Sequence, residues 1–436
     1  MTKACKHSTL TFTPSEYAET AGYERASSQK RIAATFPTGR IPKDSVVPTV
    51  HDSTYPAPLI LPEDDLAHEP DYPAQSLCSW LRDKERNPVT PDRRTIYVAA
   101  PPKNCIPGKG AWAIPSGMHE SEYSDTAPAI GDAMAYLEAF YSGLPVKSLK
   151  EPLRYMPWDQ DKAKTRRRAK GGDAVGLATT DSVTLVRCRK PTDGLFSHQL
   201  NLNDLLDVAI DVLPDDAYAL LLFVHEDLYE DEEDDFCCGR AYGGSRVAII
   251  STARYNPWLD KAQRIDAAHS WPASHCTDYV RRLVADENGP TSKKRKVTGD
   301  TKGKGNSSTK DSPLGAALIK HSDVPSASRS TKHGVAKSTW LFRACRTASH
   351  ELGHCFGLDH CVYYACMMQG TASIIEDARQ PPYLCPVDMR KVLTCTDFSE
   401  GEWYRTMIEY VKNRTEGGAG GFDAFGAWLE GRLSEL

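Results

Sequence analysis

The segment His350-Glu-Leu-Gly-His-Cys-Phe-Gly-Leu-Asp-His360 constrains this chain more than any other stretch of it. Upstream, Leu341, Cys345, Ala348 and Leu352 recur at helical spacing behind a cap at Ser338 or Thr339. On such a helix His350 and His354 lie one turn apart on one face, close enough to share a zinc ion at about 2.0–2.1 Å each. Glu351 is rotated by about 100° from His350, beside that ion but outside its ligand set. A carboxylate there can take a proton from water held at the ion. Gly357 accepts positive φ, so the helix can stop and the chain can turn back. The turn delivers His360 as a third nitrogen ligand, and three histidines leave the fourth tetrahedral position open. Two ordinary helix histidines are the competing reading of H-E-x-x-H alone. Gly357 and His360 at this spacing favour the metal centre.

Beyond the histidines, the stretch His350 to Asp388 resembles the archaemetzincin (archaelysin) family of zinc metallopeptidases, in the metzincin clan. In that family the three-histidine motif is followed at once by cysteine, then by a second cysteine and a methionine, and later by a Cys-x-x-Cys pair. Cys361, Cys366, Met368 and Cys385 stand at those places. Weaker likeness runs through Gly143-Leu-Pro-Val-Lys147, Asp227-Leu-Tyr229 and Ala253-Arg-Tyr255, so it spans much of residues 95–410. The resemblance implies a zincin-like α/β domain, a mixed twisted sheet with an active-site helix. It implies that His350, His354 and His360 bind catalytic zinc and that Glu351 is the general base. Met368 would form the hydrophobic turn beneath the metal, or be ordinary core packing. The resemblance also implies a second, structural zinc on Cys361, Cys366 and Cys385. Here the chain departs from the pattern, because Cys385-Pro-Val-Asp388 has Asp where the fourth cysteine belongs. Asp388 is the favoured fourth ligand, since zinc accepts a carboxylate oxygen at about 2.0–2.2 Å. Cys395 is the alternative if the following helix starts late, and a site that holds no ion tightly is the remaining expectation.

The rest of the chain divides by composition. Prolines at 14, 37, 42, 48, 56, 58, 62, 70 and 73 deny ladder donors and interrupt helices, so residues 1–90 are expected to be a largely irregular arm. One helix near Leu77 to Asp83 is expected in it, and Tyr17, Tyr23, Tyr55 and Tyr72 could anchor it to the domain. Residues 91–415 form the catalytic domain of this reading, with residues 416–436 as a tail. Strands are expected at Thr95–Ala100, Val183–Cys188, Tyr218–Val224 and Arg246–Ser251, and helices around Ala127–Tyr141 and Leu205–Leu213. Interleaved strands and helices indicate an α/β class. Residues 287–337 are Ser, Thr, Lys and Gly with little apolar content, the composition of a disordered insertion.

Thirteen cysteines, an odd number with no secretory leader in view, fit metal-bound or free thiols in a reducing compartment better than a disulfide framework. A net charge of -5 argues against a whole-surface nucleic-acid binder, and no apolar run is long enough to span a bilayer. The cytoplasm is therefore expected. The nucleus is the alternative, because Lys293-Lys-Arg-Lys296 resembles an import signal and Arg166-Arg167-Arg168 is a second basic cluster.

The expected activity is a zinc-dependent peptidase, in which Glu351 assists attack of zinc-bound water on a peptide or protein substrate. A zinc-stabilised binding module without turnover and a zinc hydrolase of a non-peptide amide are the rivals. Zinc peptidases align an extended substrate along a sheet edge, and Gly243 to Ser251 is the candidate edge or else an interior strand. The acidic run of Glu226, Asp227, Glu230, Asp231, Glu232, Glu233, Asp234 and Asp235 reads as a solvated loop, or as an attractant for positively charged substrates.

Overall fold

A computed structural model of the chain describes residues 5, 7, 9–44, 49–106, 112–158, 174–287, 312–322, 329–414 and 420–436. Both basic clusters, Arg166–Arg168 and Lys293–Lys296, lie outside the described residues.

Among the described residues eleven strands, numbered β1 to β11 in chain order, form two sheets. The first has the order Gly239–Tyr242 (β10), Val247–Ser251 (β11), Ala217–Val224 (β8), Thr95–Ala99 (β1), Val146–Ser148 (β3). Its pairings are parallel except β10 with β11, which is antiparallel. The second sheet runs Lys103–Asn104 (β2), Arg154–Pro157 (β4), Ala174–Ala178 (β5), Val183–Arg189 (β6), Gln199–Asn201 (β7), Asp227–Tyr229 (β9). It is antiparallel from β4 to β7. The expected α/β architecture with a mixed sheet is what the chain adopts.

β8 explains the arrangement. Its sequence Ala-Tyr-Ala-Leu-Leu-Leu-Phe-Val is buried throughout. A strand reads as continuously apolar when both of its faces are covered. Side chains alternate across the sheet, so Ala219, Leu221 and Phe223 enter one core while Leu220, Leu222 and Val224 enter another. Helix Ile130–Phe140 and the long helix Arg329–Cys355 cover the first face; helix Leu202–Asp211 covers the second. Each fully buried Leu or Phe contributes about 1.5–3 kcal/mol, so these two layers dominate the stability of the centre.

The long helix is held over the sheet by polar clamps as well as by packing. Arg343 makes a two-pronged pair with Asp260, at 2.6 and 3.0 Å, and Arg346 pairs with buried Asp377. Tyr141 donates to the Ser349 carbonyl at 2.6 Å, and Trp340 donates to that of Thr252 at 2.6 Å. Two of the weaker likeness motifs meet here. Arg254 donates to both carboxylate oxygens of Asp227, and both side chains are buried. The next residue, Tyr255, accepts from Thr347 on the long helix at 2.7 Å.

Several expectations need correcting. Val247–Ser251 takes the interior position of the two expected for it, flanked by β8 and β10, and Gly243–Ser245 is a turn; among the described residues β10 is the edge strand on the active-site helix side and β3 the opposite edge. A uniformly buried run such as Val-Ala-Ile-Ile-Ser is what an interior position requires. The acidic run is not wholly a solvated loop, since Glu226 and Asp227 are buried and only the later acids reach solvent. Within 287–337, residues Pro313–Ser322 form a helix with Leu314 and Ala317 fully buried, and the long helix begins at Arg329 rather than at residue 338 or 339. Residues 288–311 and 323–328 of that stretch lie outside the described residues.

The described part of the arm contains the expected helix, Leu77–Arg82, and three other short ones, Tyr17–Ala21, Ser28–Ala33 and Asp65–His68. It lies against the domain: Tyr55 meets Tyr404 hydroxyl to hydroxyl at 2.8 Å, and Tyr23 donates to the Val362 carbonyl at 2.7 Å. The last segment is the helix Gly421–Leu433, whose Trp428 is buried and stacked on Tyr383 at 4.0 Å between ring centroids. Among the described residues no helix is long and apolar enough to cross a membrane.

Candidate functional site

The long helix ends as the sequence requires. Gly357 has φ +75°, its N–H donates to the His354 carbonyl at 2.9 Å, and the Leu358 N–H donates to that of Gly353 at 3.1 Å. This pair of bonds is a Schellman motif, which satisfies the last carbonyls and reverses the chain. The reversal also fixes a histidine, because the Leu358 carbonyl accepts from Nδ1 of His354 at 2.8 Å. Nδ1 of His350 donates likewise to the Met367 carbonyl at 2.7 Å.

With Nδ1 protonated on both rings, both Nε2 atoms carry bare lone pairs, and they lie 3.1 Å apart. Burial, then the neighbouring histidines, pushes His350 well below the usual histidine range. Burial, then His360, brings His354 to about 4. Both rings are neutral at pH 7, so two lone pairs face each other without a shared proton. A cation between them removes that repulsion. His360 completes the group, with all three ligand nitrogens within 4.8 Å of one another. The donor set and its tautomers fit zinc.

Met368 is fully buried beneath this group, and a Cβ on Gly353 would lie 2.5 Å from its sulfur. Only glycine at 353 lets the helix settle onto Met368. On the other side, Glu351 is buried against β10, where a Cβ on Gly239 would lie 3.1 Å from both Cγ and Oε1 of Glu351. Burial pushes the Glu351 carboxyl up to about 8; Arg240 opposes that shift and Glu230 adds to it. Arg240 and Glu230 pair with each other at 3.4 Å. This edge of the sheet thus runs past the Glu351 carboxylate, on the helix that carries His350 and His354.

A second group lies behind the first. Cys361, Cys366, Cys385 and Asp388 are all buried, with their ligand atoms within 4.8 Å of one another. Sγ of Cys361 and of Cys385 are 3.6 Å apart, and Oδ2 of Asp388 is 3.3 Å from the sulfurs of Cys366 and Cys385. Cys395 is not among them; it lies on the far side of helix Pro386–Thr396, near Arg86. That helix starts directly after Cys385, which puts Asp388 in its first turn and turns Cys395 away.

Buried Lys391, one turn after Asp388, donates to Oδ1 of Asp388 at 2.8 Å and to Gln75 of the arm at 2.7 Å. Three thiolates and a carboxylate carry four negative charges; a divalent ion and the Lys391 ammonium offset three. Burial, then the charge on Cys361, raises Asp388 to about 6 despite Lys391. So much buried negative charge is tolerable only around a cation.

Sequence reasoning missed the residues that the arm brings here. A Cβ on Gly370 would lie 2.2 Å from Oδ2 of Asp65 and 2.8 Å from Nδ1 of His360, so the Asp65 carboxylate borders the third imidazole. Tyr72 lies against the His360 ring, 5.6 Å between centroids, and donates to Asp359. Gln75 donates to the Gly357 carbonyl and accepts from the Asp359 N–H at 3.0 and 3.1 Å. Nothing local marks these three residues. Only Tyr72 had a signal, as an aromatic anchor in a proline-rich arm.

Residues 323–393 match the family model of Peptidase family M54. Archaemetzincin-2 of Macaca fascicularis is 25% identical over 366 residues, which is 84% of this chain and 76% of that protein. Archaemetzincin-1 of Rattus norvegicus is 26% identical over 251 residues, 55% of this chain and 41% of that one. The crystal structure of archaemetzincin from Methanopyrus kandleri aligns at 15% identity and a TM-score of 0.30, over 73% of this chain and 98% of that one.

Proposed function

We propose that this chain, a zinc metallopeptidase, is an archaemetzincin of peptidase family M54, that His350, His354 and His360 hold its catalytic zinc and that Glu351 is its general base. The observation that carries this reading is the facing pair of bare Nε2 atoms, 3.1 Å apart, on the same helix as a buried carboxylate. When bound, zinc supplies Lewis-acid polarisation of the scissile carbonyl and a lowered pKa for water.

The protein's own residues do the rest. The carbonyls of Met367 and Leu358 hold the two imidazoles with Nε2 forward. The free edge of β10 takes an extended peptide by main-chain hydrogen bonds, which sets the scissile bond beside Glu351. Glu351 accepts a proton from the attacking water and delivers it to the departing amine. Peptide or protein substrates follow from the family.

Cys361, Cys366, Cys385 and Asp388 hold a second, structural zinc in this reading, with Lys391 offsetting part of the charge. Zinc content per chain and turnover of a peptide library, measured on wild type, Glu351→Ala and Cys385→Ala, test both assignments. Turnover only where Glu351 is present, with equal zinc in wild type and Glu351→Ala and one zinc fewer in Cys385→Ala, is the expected result. Turnover surviving in Glu351→Ala would overturn the general-base assignment, and unchanged zinc in Cys385→Ala would overturn the structural site. Full zinc content without turnover in wild type would replace the peptidase mechanism with the binding-module reading.

A further inference from the structure

A third group of metal-ligating side chains lies away from both centres, where the start of the arm meets the loop after β11. Cys5, His7 and His269 have their ligand atoms within 4.8 Å of one another. His269 is buried, 4% exposed, and its ring is fixed on two sides. It stacks on Tyr279 with ring centroids 4.3 Å apart and 7° between planes. Its Nδ1 donates to Oδ2 of Asp266 at 2.7 Å.

The Asp266 bond engages Nδ1, so Nε2 is the ring nitrogen of His269 left for another partner. That Nε2 is buried and has no hydrogen-bond partner; the same holds for Nε2 of His7. The two rings meet edge to face at 5.0 Å between centroids. His7 itself has φ +45°, an uncommon backbone conformation for a residue with a side chain. Sγ of Cys5 is 3.3 Å from Sγ of Cys276, which places a second sulfur at the edge of the group.

We propose that Cys5, His7 and His269 form a zinc site that clips the first residues of the arm to the domain. Four observations converge on it: two orphaned buried imidazole nitrogens, a carboxylate that holds one of the rings, a thiol pair, and a backbone held in an uncommon conformation. Two imidazoles and a thiolate are a donor set that zinc prefers and that hard cations such as magnesium or calcium do not. On binding, Cys5 gives up its thiol proton to solvent and becomes the thiolate ligand.

The mechanical consequence follows from the pairing beside it. Thr11 donates to the His275 carbonyl at 2.9 Å and Thr277 donates to that of Thr9 at 3.0 Å, a short bridge that extends residues 9–11 along the same loop. The clip would end that bridge with a bond far stronger than a main-chain hydrogen bond. It is independent of the catalytic assignment.

The test is zinc content per chain of the full-length protein, purified in zinc-containing buffer and dialysed, for wild type, His7→Ala and Cys5→Ser. Both substitutions lie in the arm and leave the core packing intact. The expected result is one zinc fewer per chain in each variant than in wild type, whatever the other two sites hold. Amide hydrogen exchange at Thr11 should also speed up by about tenfold in both. Equal zinc in all three proteins would overturn the proposal. So would intact-mass and peptide mapping that find Cys5 and Cys276 joined as a disulfide in the purified chain.

Discussion

Two clusters that follow one another directly in sequence, His360 being next to Cys361, end in opposite environments. His350, His354 and His360 are half-buried, the first two on the helix beside the β10 edge of the sheet, whereas Cys361, Cys366, Cys385 and Asp388 are buried on every side. The first leaves room for a substrate; the second is closed by its own chain and by Lys391 and Gln75. Zinc chemistry separates the two roles in the same way, with an open position for catalysis and a full ligand set for structure. The contrast teaches that accessibility, more than donor type, divides the labour between neighbouring sites.

Removing one ligand from each cluster is the strongest way to break the comparison. His354→Ala should lower kcat/KM by about 10³-fold, roughly 4 kcal/mol, while the Tm moves little. Cys385→Ala should instead destabilise the fold by about 4 kcal/mol, near 10 °C in Tm, because it opens a buried charged cluster. Similar thermal shifts for the two variants in scanning calorimetry would erase the distinction. Lys391→Met comes next: with Asp388 left uncompensated, a loss of about 3 kcal/mol and faster zinc release to a chelator are expected. Unchanged release kinetics would show that the ammonium has no part in holding the ion.

Smaller changes sharpen the picture of the open site. Gly239→Ala puts a methyl group 3.1 Å from the Glu351 carboxylate, so kcat should fall by about tenfold with zinc content unchanged. A wild-type kcat in that variant would mean that β10 does not position Glu351. The smallest effect is expected for Tyr72→Phe, which removes the bond to Asp359 but keeps the ring against His360. It should cost about 1 kcal/mol in chelator resistance of the catalytic ion, and none in that of the structural one.

Much of this was legible before any coordinates. The spacing of His350 and His354, the reversal at Gly357 and the return of His360 depend on backbone geometry within a few residues. β8 and β11 were legible for a similar reason, since burial on two faces writes an unbroken apolar run. The same signal could not say which strand lay at the edge. β10, Gly239-Arg-Ala-Tyr242, has no apolar pattern because its free side needs none. The helix Pro313–Ser322 was hidden for the opposite reason: its short apolar face is diluted by polar sequence around it and gains meaning only against helix Gly421–Leu433.

The sequence by itself therefore determined the helix, its two projecting histidines, the turn and the order of the cysteines, because those are fixed by local dihedral preferences and helical periodicity. Only the tertiary structure set Asp388 rather than Cys395 beside the three cysteines, placed Lys391 against Asp388, and brought Asp65, Tyr72 and Gln75 from the arm to the His360 turn. Those contacts join residues about 300 positions apart, as the 316-residue separation of Gln75 and Lys391 illustrates. No period or spacing encodes such a contact. It exists only once the cores on the two faces of the sheet have formed and the arm has been laid across them.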